Sequence, residues 1–341
     1  MISLLGISKE ELKDIVLNEF YEKSCRVTQI LKWLYEKKEF EIDKFTDLPK
    51  KFRETLQQKF KIFTLDLVSK EKSNIDGTTK YSFKTYDGYN FSAVYIPKLS
   101  RNVVCLSTQI GCSIKCIFCN SGRVDFVRNL DCCEITEQLL RIAKDVGKID
   151  SVLFMGMGEP LLNYENLIKS IKIFLYPEGL SMSKRKITVS TVGVVPNIYK
   201  LAEENLGIKL AISLHSYDDN KRKKFVKNLK FSIKDILEAG IFYAKRTKTK
   251  LTIEYVLIKD ENDKEEDVLG LIRLLKKLSK DISIFKINII PYNFIEGIEF
   301  FSPTEERINN FKKILINNGF LAFIRKPHGS DIKAACGQIG F

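Results

Sequence analysis

The feature of this sequence that most restricts its fold is the alternation of apolar and amphipathic segments from about residue 100 onward. Seven apolar segments have the length of strands, near 103–107, 151–155, 187–190, 209–214, 251–257, 284–290 and 320–325. Helical segments fit between most of them; one begins at Asp131, with Glu134 as in a capping box, and ends near Gly147. Repeated strand–helix units predict an α/β fold with a parallel sheet, either closed or partly closed into a barrel or open and doubly wound.

The first hundred residues have a different pattern. Residues 26–37 place apolar side chains on one helical face, and 48–60 form a second predicted helix with Pro49 in its first turn. Short alternating segments at 64–68, 81–83 and 91–96 are separated by Asp-Gly pairs, which predicts hairpins. We therefore expect an N-terminal helical domain (1–62), a β-hairpin extension (63–98) and an α/β core (99–341).

Composition and charge restrict the function. The 341 residues include 56 Lys and Arg against 43 Asp and Glu, a net charge of +13, which favours a polyanionic partner and above all nucleic acid. A lysine-rich composition can also follow from AT-rich coding. The 44% of hydrophobic residues excludes wholesale disorder, and no apolar run is long enough to span a membrane. We expect a cytoplasmic protein, in which clustered cysteines are metal ligands or redox groups rather than a disulfide framework.

Three cysteines carry the strongest chemical signal. Cys112, Cys116 and Cys119 form a C-x3-C-x2-C arrangement just after the first core strand, so their thiolates can converge on one centre. Three soft ligands suit zinc or an iron–sulfur cluster, and zinc normally takes a fourth ligand, for which no second cysteine pair lies nearby. A 4Fe–4S cluster held by three cysteines leaves one iron open to a small molecule. Phe118 could shield such a cluster from water.

Other candidate residues follow later strands. Gly156 and Gly158 allow either a tight turn or a close approach of a ligand to the backbone. Ser190, residues 213–215 and Asn293 lie at strand ends, where a parallel barrel collects its ligand groups. His215 has an alternative interpretation as a hydrogen-bonded core residue. Cys336, near the C-terminus, would from its spacing alone be an inert thiol.

Together these stretches resemble the RlmN/Cfr family of radical S-adenosylmethionine (radical SAM) RNA adenine methyltransferases. The resemblance covers the whole core and part of the first helical segment, and 160–163 (PLLN) is closer to RlmN than to Cfr. It rests on 29–35 (QILKWLY), 111–119 (GCSIKCIFC), 155–163 (MGMGEPLLN), 190–196 (STVGVVP), 213–215 (SLH), 290–293 (IPYN) and 331–338 (DIKAACGQ).

The resemblance implies a partial parallel (β/α) barrel and a role for each matching residue. Cys112, Cys116 and Cys119 would hold a 4Fe–4S cluster. Cys336 would receive a methyl group and carry it to RNA, while Cys105 would accept a proton and then form a transient disulfide with Cys336. S-adenosylmethionine would be bound by Gly158, Glu159, Ser190, Ser213, Leu214, His215 and Asn293.

The resemblance also implies the reaction and its partners. Ring carbons of adenine are not nucleophilic, so the family uses radical chemistry to methylate them. The implied reaction here is methylation at carbon 2 of adenine in 23S rRNA near the peptidyl-transferase centre, and of the tRNA adenine 3′ of the anticodon. We further expect RNA binding by the helical domain, an electron donor such as flavodoxin or ferredoxin, and a monomer without membrane attachment. Two alternatives are a Cfr-like enzyme acting at carbon 8 and a non-catalytic RNA-binding protein with a structural metal.

Some positions depart from the family pattern or have two interpretations. Ser92 occupies the place of a glutamate that acts as proton acceptor in the family, so we assign no general base there. His328 and Phe294 replace the usual basic residue and proline. The remaining cysteines, Cys25, Cys132 and Cys133, are expected to be buried. Basic runs at 184–186, 221–224 and 245–250 are interpreted either as RNA contacts or as solvated faces.

Overall fold

The computed structural model describes residues 2–228 and 230–340. The chain begins with three short helices, two of which continue into π-helical turns at 15–19 and 32–36. Two short strands pair in parallel and close this segment. The elements are β1 (Ile2–Ser3), α1 (Lys9–Asp14), α2 (Cys25–Leu31), α3 (Lys50–Lys59) and β2 (Phe60–Lys61). The predicted apolar face is confirmed, because Ile30, Leu31, Leu34 and Tyr35 are all buried.

Two details of this segment differ from the predictions. Pro49 is the N-cap of α3 and lies just before its first turn, with an extended ψ of 142°. Cys25 is exposed, because it is the first residue of α2 and lies off the helix face that packs inward. Cys132 is buried as expected, and Cys133 is half-buried.

Three antiparallel strands follow and extend the main sheet. They are β3 (Asp66–Lys72), β4 (Thr79–Lys84) and β5 (Asn90–Lys98). The predicted hairpins are confirmed, although β3 begins two residues later and ends four residues later than expected. β5 then pairs antiparallel with the first core strand, β6 (Arg101–Cys105), so that the extension and the core share one sheet. A small antiparallel ribbon, β7 (Gln109–Ile110) and β8 (Arg128–Asn129), flanks the cysteine loop.

The core sheet is parallel from β6 onward. Its other strands are β9 (Ser151–Phe154), β10 (Ile187–Thr191), β11 (Lys209–Ser213), β12 (Leu251–Leu257), β13 (Phe285–Pro291) and β14 (Leu321–Ile324). In the described chain the ten-stranded sheet runs β14-β13-β12-β11-β10-β9-β6-β5-β4-β3. Since β14 is an edge strand and does not pair with β6, the barrel is partial rather than closed, which confirms the fold class.

Helices cover the outer face of the parallel strands. They are α4 (Cys132–Val146), α5 (Tyr164–Leu175), α6 (Val195–Glu203), α7 (Asp219–Phe225), α8 (Ile233–Thr247), α9 (Glu265–Leu278) and α10 (Glu305–Asn317). α4 begins with the predicted capping box of Asp131 and Glu134 and ends at Gly147. No helix within residues 2–228 and 230–340 has the length and hydropathy of a membrane span.

A buried carboxylate joins the residues just before β3 to the core. Glu137 on α4 is fully buried, and it accepts hydrogen bonds from the backbone N–H groups of Thr64 and Leu65 at 2.6 and 3.1 Å. Arg141, one turn later, donates to the same carboxylate at 3.1 Å. Each oxygen therefore has a donor, which compensates for the burial of the charge.

We expect Glu137→Ala to lower the free energy of unfolding by about 2–4 kcal/mol, because two buried N–H groups and Arg141 lose their partner. Chemical denaturation measures the change. As a control, Glu165→Ala removes a carboxylate that is 83% exposed and bridges to Lys200, so it should cost less than about 1 kcal/mol. Equal effects of the two substitutions would contradict this role of Glu137.

Candidate active site

The cysteine loop lies at the carboxyl end of the parallel strands, between β7 and a 3-10 turn at Asn120–Arg123. An isolated bridge between Cys116 and Val226, and a hydrogen bond from the Ile117 N–H to the Phe225 carbonyl at 2.9 Å, attach the loop to α7. Phe118 is buried and packs edge-on against His215, with ring centroids 4.8 Å apart. The loop is thus held by the barrel rather than projecting into solvent.

Cys112, Cys116 and Cys119 line one cavity of about 950 Å³, part of which is open to solvent. Burial raises the pKa of all three thiols, to about 12 for Cys112, and their mutual repulsion adds to the effect for Cys116. Three thiolates can therefore form together only if positive charge is placed between them, as metal atoms would do.

Three soft thiol ligands that line one cavity fit a multi-metal cluster. Among the described residues, no three His, Cys, Asp or Glu side chains lie close enough together to hold one metal ion. A 4Fe–4S cluster binds each cysteine through a different iron, so its ligands need not converge on one atom. The donor set and the surrounding space therefore fit a cluster with three protein ligands.

The turn after β9 places Glu159 at the wall of this cavity. Gly158 has φ +101°, and a Cβ at this position would lie 2.5 Å from the Cβ of Gln109. Glu159 is buried and accepts from the Leu161 N–H at 3.0 Å and the Val192 N–H at 2.9 Å. Burial raises the pKa of Glu159 to about 7 despite these hydrogen bonds. The Thr191 side chain also hydrogen-bonds to this carboxylate, which can still accept from a further donor.

Ser190, Ser213 and His215 line the same cavity from the ends of β10 and β11. The two serine hydroxyls lie 3.3 Å apart. His215 has a left-handed backbone (φ +62°) and accepts from the Val256 N–H through Nδ1 at 3.1 Å. Burial lowers the pKa of His215 to about 3, so the ring is neutral with its proton on Nε2. Its Nε2–H is therefore the ring's donor.

Arg222 is a buried cation beside the cysteine loop that the sequence analysis treated as part of a basic run. It is fully buried, and its guanidinium donates to the carbonyls of Leu214 (2.8 Å), Val192 (2.5 Å) and Ser213 (2.8 Å). Its third nitrogen, Nη1, has no partner within the described chain. Burial lowers the pKa of Arg222 to about 10, while Cys116 and nearby carboxylates oppose this, so the group stays charged. A bound anionic group next to the cysteines would accept a hydrogen bond from this unpartnered buried donor.

The last residues of the chain are docked against the cysteine loop. The Asn120 N–H donates to the Gly337 carbonyl at 2.7 Å, and the Ser121 hydroxyl donates to the Ile339 carbonyl at 2.6 Å. On the other side, the Asn293 side chain donates to the Cys336 carbonyl at 2.8 Å. Cys336 is exposed and lines the same cavity as the three loop cysteines.

Cys105 lies in an adjoining chamber. It ends β6, is buried, and packs with Ala334 and Ile339 of the tail. This second cavity, of about 520 Å³, is lined by Cys105 and Cys336 together with Arg325. Both cysteines are free thiols, so the disulfide expected between them is not formed in this structure. Burial raises the pKa of Cys105 to about 12; a thiolate at Cys336 raises it further, and Arg325 opposes the change.

Most of the predicted site residues therefore line one connected space. The side chains of a few residues considered in the sequence analysis lie elsewhere. The Leu214 side chain is in the main hydrophobic core, and only its carbonyl, bound by Arg222, faces toward the site. Ser92 is buried on β5 and lies 3.4 Å from the Ser82 hydroxyl, away from the residues that line the cavity. In the run 221–224, Arg222 is wrong as an RNA contact because it is buried.

Several residues that line the cavity received no role from the sequence, among them Met155, which lies in the quoted stretch 155–163, Glu254 and Arg325. Arg325 lies 3.4 Å from Glu254, which also accepts from Asn288 at 2.9 Å. A signal was present for two of them. Glu254 interrupts an otherwise apolar strand, and Arg325 is the last residue of the predicted strand 320–325.

Arg222→Met is expected to lower the free energy of unfolding by about 3 kcal/mol or more, because three buried carbonyls lose their donor. Lys223→Met is the matched control, since Lys223 is exposed one residue away and should change stability by less than about 0.5 kcal/mol. Urea denaturation of both variants compares them. A neutral effect of Arg222→Met would mean that these hydrogen bonds do not hold the loops together.

This chain is similar to known protein families and to named relatives. Residues 106–272 match the family described as "Radical SAM superfamily", and residues 2–62 match "Ribosomal RNA large subunit methyltransferase N-terminal domain". A protein of Endomicrobium trichonymphae named "Probable dual-specificity RNA methyltransferase RlmN" is 47% identical over 322 residues, covering 94% of this chain and 92% of that protein. A protein of the same name from Thermotoga maritima is 44% identical, covering 99% and 97%.

A solved structure extends the likeness to three dimensions. The radical SAM methyltransferase from Sphaerobacter thermophilus superimposes with a TM-score of 0.93 at 35% identity, covering 99% of both chains. Two family models match this chain, relatives match it over nearly their full length, and a solved structure shares its fold. The chain therefore belongs to the RlmN family of radical SAM RNA methyltransferases.

Proposed function

We propose that this chain methylates carbon 2 of adenine in 23S rRNA, and of the adenine 3′ of the anticodon in tRNA, with Cys336 as the methyl carrier. One observation carries the proposal: Cys336 lines the same cavity as the three cysteines of the loop. A terminal cysteine would not need that position in a protein that only bound RNA around a structural metal. The name of the relatives, a dual-specificity RNA methyltransferase, favours both RNA substrates and carbon 2 over a Cfr-like reaction at carbon 8.

The cavity residues divide into two groups in this proposal. Cys112, Cys116 and Cys119 hold the 4Fe–4S cluster. S-adenosylmethionine is bound by Gly158, Glu159, Ser190, Ser213, Leu214 (through its backbone), His215 and Asn293. When bound, the cluster and S-adenosylmethionine supply the methyl group and the radical chemistry that a non-nucleophilic ring carbon requires. Glu159 accepts from the ammonium group of the cofactor, and the neutral His215 donates through Nε2–H.

Cys105 and Arg325 control a proton in the second chamber. Cys105 is a thiol in this state, since burial raises its pKa to about 12. A methyl group on Cys336 removes the possibility of a thiolate there, and with it the repulsion that raises the pKa of Cys105. Burial, the largest cause of the raised pKa, remains, and the charge of Arg325 opposes it; the thiolate form of Cys105 is the one that would accept the proton released from adenine. Ser92 takes no part. The Cys105 thiolate would then attack the Cys336 sulfur, so that the S–S bond forms as the bond from that sulfur to the transferred carbon breaks, and the electron pair of the broken bond leaves with that carbon, which takes up a proton.

The access of Cys336 to both cofactor and RNA requires the tail to move. In this structure, Asn293 holds the Cys336 carbonyl, so cofactor binding by Asn293 and docking of the tail compete for one side chain.

We further propose a monomeric cytoplasmic enzyme that takes electrons from a flavodoxin or ferredoxin. The first 62 residues would contact RNA as a separate domain, with 63–98 as its link to the core.

The direct test is Cys336→Ala. RNA from cells that express this variant in place of the wild-type chain should lack 2-methyladenine, because the methyl carrier is gone, while iron content and colour of the purified protein stay unchanged. Mass spectrometry of nucleosides gives the readout. Cys25→Ala, which changes an exposed cysteine far from the cavity, is the control and should leave methylation intact.

Two outcomes would overturn parts of the proposal. Undiminished RNA methylation by Cys336→Ala would contradict the carrier role. The appearance of 8-methyladenine instead of 2-methyladenine would mean that the chain has the Cfr-like specificity.

Binding of S-adenosylmethionine should depend on pH through Glu159. Because burial raises its pKa to about 7, Glu159 is mostly protonated at pH 6 and mostly ionised at pH 8, and only the carboxylate attracts an ammonium group. We expect the affinity to fall about tenfold from pH 8 to pH 6. Equilibrium binding to the cluster-loaded protein measures it. Glu159→Gln should bind weakly at both pH values, whereas Glu165→Gln should keep the wild-type profile; a flat wild-type profile would contradict this role.

A further inference from the structure

A large cavity lies on the inner face of the barrel at the amino ends of the strands, opposite the cysteine loop. It encloses about 2040 Å³, including space open to solvent. Its lining comes from β5 and β6 on one side and from β14 on the other, although β14 and β6 are not paired. The curled sheet therefore leaves a seam between its edge strand and β6, and the cavity opens along that seam.

This amino-end cavity is strongly basic. Its lining contains eight Lys and Arg side chains, among them Lys98, Arg101, Lys209 and Lys286, whereas Glu254 is the one Asp or Glu among its described lining residues. Glu254 is already paired with Arg325, and the four cations named above form no ion pair within the described chain. The charges therefore face one another across a concave surface without anionic partners.

The lowered pKa values of two lysines show that the cations of this cavity are buried and repel one another. Burial lowers the pKa of Lys209, and repulsion by Lys286, Lys186 and Arg101 lowers it further. Burial also lowers the pKa of Lys98, with repulsion by Arg101 and Arg325 adding to the effect. Such unpaired cations destabilise the free protein, and a bound polyanion would remove that cost.

Apolar side chains at the mouth of the cavity point to a nucleic acid rather than a simple anion. Leu99 is fully exposed, and Phe323 is 44% exposed on β14. The Lys286 ammonium lies 5.2 Å from the centre of the Phe323 ring. An exposed aromatic ring among unpaired cations offers a stacking surface for a base next to binding sites for phosphates, as in proteins that bind single-stranded RNA.

The amino-end cavity adjoins the chamber that is lined by Cys105 and Cys336. Met155 and Arg325 line it, and the same two residues line both the cofactor cavity and the chamber of Cys105 and Cys336. A base that enters from the seam would meet Cys336 from the inside of the barrel, while the cofactor occupies the carboxyl end. The two ligands would then approach Cys336 from opposite sides.

We propose that the amino-end cavity binds the phosphates that flank the target adenine in an unpaired RNA strand, and that the adenine reaches Cys336 along the seam between β14 and β6. This inference rests on the proposed function, since it names the route of that enzyme's RNA substrate. Lys209, Lys286 and Arg101 contact phosphates, and Phe323 stacks on a neighbouring base. The target adenine must be unstacked, because a base that stays inside a paired helix cannot reach a side chain within the barrel.

The test is the double variant Lys209→Gln/Lys286→Gln, with Lys223→Gln/Lys224→Gln on the exposed end of α7 as a control of equal charge. The probe is an in vitro transcript of the peptidyl-transferase region of 23S rRNA, and binding to the cluster-loaded protein is measured at several salt concentrations. Loss of two phosphate contacts on a single strand should reduce the slope of log K against log salt by about 1.4 and weaken binding about tenfold at physiological salt. The control pair should stay within about twofold of wild type.

Further measurements separate this inference from the proposed function and from misfolding. Cleavage of S-adenosylmethionine without RNA should be equal in all variants, and Lys209→Arg/Lys286→Arg should restore RNA binding because it restores the charge. Wild-type affinity and salt slope in Lys209→Gln/Lys286→Gln, or an equal loss in the control pair, would overturn the inference. If the wild-type protein binds and cleaves S-adenosylmethionine but methylates no RNA, the proposed function itself fails.

Discussion

The attachment of the chain's last turn to the cysteine loop is the interaction on which the site depends. Asn120 and Ser121 directly follow Cys119, and they hold the carbonyls of Gly337 and Ile339. Because the anchors of the tail begin one residue after a predicted cluster ligand, Cys336 can only lie beside the cluster site. A shift of either segment would separate Cys336 from the three cysteines of the loop. The buried Arg222, which joins the ends of β10 and β11 to α7, stabilises the other side of this arrangement.

The partial barrel gives this site two approaches. Its carboxyl end carries the cysteine loop and the small polar groups that fit S-adenosylmethionine, whereas its amino end and seam carry unpaired cations. Met155 and Arg325 lie where these spaces meet. A closed barrel of eight strands would fill its interior with side chains, so the missing strand is what makes room for a large second ligand. In the proposed account, the fold thus separates a small cofactor from a large polyanionic substrate.

Much of this was predictable from residue patterns, because local rules apply to them. Strand–helix alternation predicts the parallel sheet, the spacing of Asp131 and Glu134 predicts the start of α4, and the cysteine spacing predicts a shared metal site. Strand ends predict where Ser190 and His215 gather. These features depend on residues within a few positions of one another, or on the general topology of parallel sheets.

Other features depend on contacts that no local pattern encodes. Arg222 lies in a run of four basic residues, and only its packing under the loops distinguishes it from its exposed neighbour Lys223. The contact of Asn293 with Cys336 joins residues that are 43 positions apart. Lys209 and Lys286 belong to different strands, and their common cavity follows from the curl of the sheet. Three-dimensional proximity, rather than composition, gives these residues their role.

The central claim, that the tail presents Cys336 to the bound cofactor, can be measured on the protein alone. The cluster-loaded enzyme is incubated without oxygen and without RNA, with S-adenosylmethionine whose methyl group carries an isotopic label, and its peptides are analysed by mass spectrometry. The account predicts one labelled methyl group on the peptide that contains Cys336, and none on the peptides that contain Cys25 or Cys133. Label on another cysteine, or no label on Cys336 although the protein binds the cofactor, would contradict it.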